Sequence, residues 1–131
     1  MSCDLAGLRL LVVDDNADSR ELLKILFEQE GAEVMAVPSV SEALAILACC
    51  KPDILLCDIL MPGEDGYSLI RKVRSLELER GRQIPAIAVT AAASSQDRQL
   101  ALSAGFHRHI SKPVNFDDLV TAVACLCERA R

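Results

Sequence analysis

At 131 residues, 51% of them hydrophobic and with a formal net charge of -5, the chain is long enough for one domain with a full core. Aromatic residues make up only 3%, there is no Trp, and no cluster of basic residues occurs, which argues against direct nucleic-acid binding, where stacking rings and grouped cations are needed. No apolar stretch approaches the roughly 20 residues of a membrane span, and the opening MSCDLAGLR lacks the basic-then-apolar order of a signal peptide, so no membrane attachment and a cytoplasmic location are expected.

Taken in chain order, short apolar runs alternate with amphipathic segments. The run Leu8–Val13 ends in Asp14 and Asp15, and a helix is predicted over 17–30, with Gly31 placed as its C-terminal cap. A second run, Glu33–Val37, precedes Ser39-Val-Ser-Glu42, a capping box opening a helix over 40–50. The third run, Ile54–Cys57, ends in Asp58, followed by the turn Met61-Pro62-Gly63 and a helix over 66–80 that begins at Gly66. Ala86–Val89 follows Pro85 and ends in Thr90; a helix is predicted over 95–104. The weaker run His107–Ile110 leads to Lys112 and Pro113, and Asn115 can cap a last helix over 115–129, with Asp117 and Asp118 complementing its dipole.

Runs that are apolar throughout mark strands covered on both faces, hence a parallel sheet. Five strand–helix units predict an α/β doubly wound fold with a five-stranded parallel sheet and five helices, spanning 8–129 after a short leader, 1–7. The last helix is rich in apolar residues (Leu119, Val120, Val123, Ala124, Leu126, Cys127), more than one core-facing stripe needs. The excess is read as either a partner patch or a broad stripe covered by the sheet. Six cysteines (Cys3, Cys49, Cys50, Cys57, Cys125, Cys127) match no zinc spacing and are expected to be buried or half-buried free thiols.

Each polar residue at a strand end falls on one edge of a parallel sheet, the edge where open α/β sheets bind ligands. Asp14, Asp15, Asp58, Thr90 and Lys112 are therefore predicted to converge. Three clustered carboxylates require a counter-charge. Hard oxygen donors suit Mg²⁺, and with a lysine and a hydroxyl nearby they compose a phosphoryl site in which one Asp can be the nucleophile. A Mg²⁺-dependent phosphohydrolase with an Asp nucleophile is the alternative, although such enzymes typically carry Asp-x-Asp, which Asp58-Ile-Leu lacks.

The segments LVVDDN, DILLCDILMPGEDG, AIAVTA and SKPV together resemble the receiver domain of two-component response regulators. The resemblance spans nearly the whole chain and is similar in phrasing to receivers of hybrid sensor kinases, so the chain is read as a stand-alone receiver or a piece of such a kinase. It implies the flavodoxin-like strand order 2-1-3-4-5 and a phosphoacceptor at Asp58. It also implies Mg²⁺ held by Asp14, Asp15, Asp58 and the Leu60 backbone carbonyl. Thr90 becomes the switch hydroxyl, and Lys112 the phosphoryl partner, joined to Pro113 by a cis bond. The implied partner is a sensor histidine kinase or a histidine phosphotransfer protein, with a homodimer through the face of the fourth helix, fifth strand and fifth helix as a further option. The implied activity is limited to its own phosphorylation and dephosphorylation. Three departures stand out. His109 occupies the position where many receivers carry Tyr or Phe, and reads as a switch residue or a surface histidine. Leu60 and Ala92, which flank the implied path of the hydrolytic water, have no polar group. Ala91-Ala92-Ala93 leaves the crevice beside Thr90 open.

Overall fold

A computed structural model of the chain describes residues 5–61, 63–80 and 83–130. The leader residues 1–4, with Cys3, and Pro62 of the predicted turn lie outside the described residues. The elements run β1 (Arg9–Val13), α1 (Ala17–Gln29), β2 (Glu33–Val37), α2 (Val40–Cys50), β3 (Ile54–Cys57), α3 (Gly66–Arg80), β4 (Ala86–Thr90), α4 (Ser95–Ala104), β5 (Arg108–Ser111) and α5 (Phe116–Ala130). All strand pairs are parallel, in the order β2-β1-β3-β4-β5, the order that the resemblance implies.

Alternation along the strands divides the core in two. Leu10, Val12, Ile54, Leu56, Ile87 and Val89 point to one face, where Leu23 and Phe27 of α1 and Leu119, Val123 and Leu126 of α5 cover them. Leu11, Val13, Leu55, Cys57, Ala86 and Ala88 point to the other, under Val40 of α2, Leu69 and Val73 of α3 and Ala101 of α4. The Phe27 and Phe116 rings meet edge-on with centroids 5.0 Å apart, so two of the few aromatic residues tie α1 to α5. Leu5 is fully buried in the same core, and its carbonyl accepts from Leu8 N. The packed body therefore begins inside the segment read as leader.

Packing decides one open reading and corrects one expectation. On α5, Leu119, Val120, Ala122, Val123, Leu126 and Cys127 are all buried, and Ala124 packs on the same cluster. Of the two readings of the apolar excess, these residues form a broad stripe covered by the sheet and α1. On α4, across the sheet, Leu100 and Leu102 are exposed. Among the cysteines, Cys57 and Cys127 are buried and Cys50 and Cys125 half-buried as expected, but Cys49 is exposed.

Helix starts follow local chemistry. Asn16, Ser39, Ser94 and Asn115 cap α1, α2, α4 and α5 through Ser19 N, Glu42 N, Asp97 N and Asp118 N. The reciprocal capping box forms at Ser94 and Asp97. At Ser39 the Glu42 carboxylate instead takes the serine hydroxyl at 3.1 Å. Gly66 opens α3 against the end of β3: a Cβ there would stand 2.7 Å from the Asp58 carbonyl oxygen and 2.8 Å from Ile59 Cα. Only glycine lets the helix start so close to β3.

At the opposite edge, Arg74 of α3 fastens two loops. Its guanidinium donates to Gly105 O at 2.8 and 3.1 Å, to Ile84 O at 2.7 Å and to Glu77 at 2.7 Å, while Glu77 accepts from Ile84 N. The pair is largely buried, its side chains 16% and 17% exposed. Removing one partner strands the other charge and two carbonyls. Arg74→Met is expected to cost about 2–3 kcal/mol, read as a lower urea midpoint at unchanged slope.

Beside this cluster, His107 Nδ1 accepts from Ala86 N at 3.1 Å and lies 3.4 Å from Arg74 Nη2. Burial first, and then the Arg74 charge, hold the imidazole below its ordinary value of 6.5. The neutral ring is the folded form, so its contribution is intact above about pH 6.5 and fades as pH falls through the depressed value. Stability measured by urea unfolding should therefore decline more steeply on acidification in the wild type than in His107→Asn, whose amide oxygen can accept in place of Nδ1.

Candidate functional site

β1 and β3 are neighbours at the centre of the sheet, and both end in carboxylates. Asp58 N bonds to Val13 O at 2.9 Å, and Asp14 N to Val37 O at 3.2 Å, so the ladder still controls the backbone where these side chains leave it. Each carboxylate then folds back on the following loop as an Asx turn: Asn16 N donates to Asp14 Oδ1 at 2.9 Å and Leu60 N to Asp58 Oδ1 at 3.0 Å. Arg20 Nη1, from the first turns of α1, holds the Asp14 carbonyl at 2.8 Å. Asp14 and Asp58 are buried, at 2% and 7% exposure, whereas Asp15 is exposed.

Lys112, just past β5, reaches across the end of β4 to this pair. Its Nζ lies 3.0 Å from Asp58 Oδ2 and 3.1 Å from Asp14 Oδ2. Burial acts to pull the ammonium down, but its hydrogen bonds to Asp58 and Asp14 outweigh burial and hold it above its ordinary value. The backbone around it is set by Lys112 N donating to Thr90 O at 2.9 Å and by a cis Lys112-Pro113 bond. Cys57, next to Asp58, is a buried thiol: burial and then the Asp58 charge push it far up, so it stays protonated.

The oxygens of Asp14, Asp15 and Asp58 lie within 4.8 Å of one another. Three hard carboxylate donors at this separation fit a small divalent cation, with room for water or phosphoryl oxygens in the remaining positions. Asp14 and Asp58 turn one oxygen each to Lys112, so part of the negative charge is already balanced. Among the described residues no buried side-chain polar atom is left without a partner.

Thr90 and His109 are joined through the backbone of one residue, Ala92. Fully buried Thr90 accepts from Ala92 N on Oγ1 at 3.2 Å, and His109 Nε2 lies 2.7 Å from Ala92 O, the N–H tautomer donating to it. His109 is 8% exposed, so it is not a surface histidine. Leu60, by contrast, is 57% exposed at the mouth of the site. All the residues expected to converge lie at one edge of the sheet. Asp14, Asp15, Asp58 and Lys112 form the charged centre, and Thr90 ends the strand between it and His109. The Ala92 backbone, Asn16 N and Arg20 were not legible as site elements, because their parts are backbone groups or a long side chain reaching back along α1.

Residues 10–124 match the family model described as the response regulator receiver domain. The chain is 45% identical over 123 residues to an uncharacterized 14.6 kDa protein in the sodA1 3' region of Leptolyngbya boryana, covering 94% of this chain and 92% of that one. It is 38% identical to part of hybrid signal transduction histidine kinase D of Dictyostelium discoideum, covering 95% of this chain but 8% of the kinase. The Francisella response regulator 1452 receiver domain superposes with a TM-score of 0.88 at 26% identity, over 95% of this chain and 100% of that one. No described helix is long and apolar enough to cross a membrane. A parallel sheet in this order, with its acid cluster and lysine at one edge and a family match along most of its length, has one reading: the chain belongs to the receiver domain family of two-component response regulators.

Proposed function

We propose that Asp58 accepts a phosphoryl group from a phosphohistidine on a sensor histidine kinase or a histidine phosphotransfer protein. The observation that carries this reading is the lysine shared between two buried carboxylates of adjacent strands. A carboxylate oxygen of Asp58 attacks phosphorus as the bond to the donor imidazole breaks, and the electron pair leaves on that imidazole. Phosphoryl transfer needs placement and charge neutralisation more than covalent help. Lys112 supplies a cation that follows the new charge, and Leu60 N–H fixes the carboxylate rotamer. Asp14, Asp15, Asp58 and the Leu60 carbonyl are the groups that would hold Mg²⁺, which when bound neutralises and orients the phosphoryl oxygens.

The response runs through Thr90. A phosphoryl oxygen at Asp58 accepts from its hydroxyl and draws Oγ1 toward itself, which lengthens the bond that Oγ1 accepts from Ala92 N–H. Because His109 of β5 holds the carbonyl of the same residue, a shift at Thr90 reaches β5 through an imidazole in place of a Tyr or Phe ring. The output is a population shift between two arrangements of this edge.

Acetyl phosphate with Mg²⁺ should add one phosphate, and Asp58→Asn or chelation of the metal should abolish the label. Labelling that persists on Asp58→Asn would assign the acceptor elsewhere. The phosphorylated state is expected to be long-lived, since neither exposed Leu60 nor Ala92 can orient an in-line water. Leu60→Asn combined with Ala92→Glu should shorten the acyl-phosphate lifetime about tenfold at fixed Mg²⁺, followed by its decay in buffer. Equal lifetimes would place the control of that water elsewhere.

A further inference from the structure

At the C-terminal end of α2 two adjacent thiols face each other. Cys49 is exposed and Cys50 half-buried, both free, with their Sγ atoms 2.8 Å apart. Cys49 Sγ also contacts Ile46 O at 3.7 Å. The pair sits where the helix stops: Lys51 is already left-handed at φ 44°, ψ 67°. The carbonyl of Cys50 accepts from Arg9 Nη1 at 3.2 Å, which ties the end of α2 to the start of β1. This is the edge of the sheet opposite the carboxylates. The other described cysteines differ: Cys57 and Cys127 are buried, and Cys125 is half-buried with its Sγ 3.8 Å from Arg108 Nη2.

We propose that Cys49 and Cys50 are a vicinal dithiol that exchanges with a disulfide oxidant and closes reversibly into a bridge between adjacent residues. In the first step the Cys49 thiolate attacks an oxidant RS–SR, forming a mixed disulfide and releasing RS⁻. In the second, Cys50 gives its proton to solvent and attacks the Cys49 sulfur, releasing the second RS⁻. The two thiols lose two electrons and two protons, and one RS–SR becomes two RSH. The order of attack follows from position. Cys49 is the open sulfur, and the hydrogen bond to Cys49 holds the Cys50 thiol above its ordinary value, so Cys50 is the partner that keeps its proton until the second step.

The geometry makes the bridge labile. Disulfides usually join Cα atoms about 4.4–6.8 Å apart, and adjacent residues offer about 3.8 Å. A ring closed over one peptide belongs with the easily reduced, exchangeable disulfides. It also requires the last helical residues to rotate. At a helix end that already departs from helical dihedrals, the change is local, and it bears on the bond from Arg9 to Cys50 O.

The test uses the full chain with Cys3→Ser and Cys125→Ser, which leaves the pair and the two buried thiols. One equivalent of 5,5'-dithiobis(2-nitrobenzoate) under native conditions should release two equivalents of nitrothiobenzoate. The protein should keep no adduct, weigh two hydrogens less, and return to its starting mass with dithiothreitol. Peptide mapping should place the bridge at Cys49–Cys50 with Cys57 and Cys127 unmodified. Cys50→Ser in the same background should release one equivalent and retain one adduct on Cys49. A parent that retains an adduct on either thiol and stays open overturns the proposal, as does a bridge to any other cysteine. The readout does not involve Asp58, so it is independent of the phosphoryl reading.

Discussion

Two carboxylates at the ends of adjacent central strands are buried to within a few per cent, and a charge so placed is stable only when answered. The answer is a single ammonium, and it comes from two strands away. Lys112 can reach Asp14 and Asp58 because β3, β4 and β5 are neighbours in that order and because Thr90, at the end of the intervening strand, is compact. The topology therefore follows the electrostatics as much as the core. An order that moved β5 from its place would leave two buried charges on the edge without their cation.

The same edge is built largely from backbone. Asn16 N and Leu60 N orient the two carboxylates, Gly66 clears the space in which α3 approaches the Asp58 carbonyl, and the backbone N–H and C=O of Ala92 link Thr90 to His109. Side chains supply charge and chemistry, while the peptide groups supply their bearing. The opposite edge is fastened by side chains instead: Arg74 and Glu77 gather Ile84, Gly105 and His107 around the start of β4, and Arg9 binds Asp53, Glu33 and Cys50 around the start of β1. One edge is rigidly held, and the other has a replaceable contact at Thr90.

How much of this is visible in the sequence depends on the range of the interaction. Strands apolar on both faces announce themselves as unbroken runs, so Ile54–Cys57 and the alternating helices could be read directly. Strand-end polar residues could be read as well, because parallel strands bring equivalent ends together. The capping box read at Ser39 forms fully at Ser94 instead: both acids accept from the serine hydroxyl, but only Asp97 also accepts from the N-cap N–H, a difference set by side-chain reach and local backbone. The apolar surplus on α5 was legible, but not its fate, because burial depends on how broadly the sheet and α1 cover it. Arg74, a plain surface-looking arginine in a polar helix, gave no signal at all: its acceptors are carbonyls up to 31 residues away.

The clamp on Ala92 has a consequence for how this edge can vary. Thr90 and His109 hold its N–H and its C=O, and both bonds run to backbone atoms. The link between the two residues thus survives almost any replacement at that position, proline excepted, since proline has no N–H to give. Whatever side chain stands there can face the crevice and alter how water enters it, with the connection beneath left in place. Under the proposed phosphoryl transfer, the duration of the signal and its transmission would be set by different atoms of one residue, and the first could be retuned without rebuilding the second.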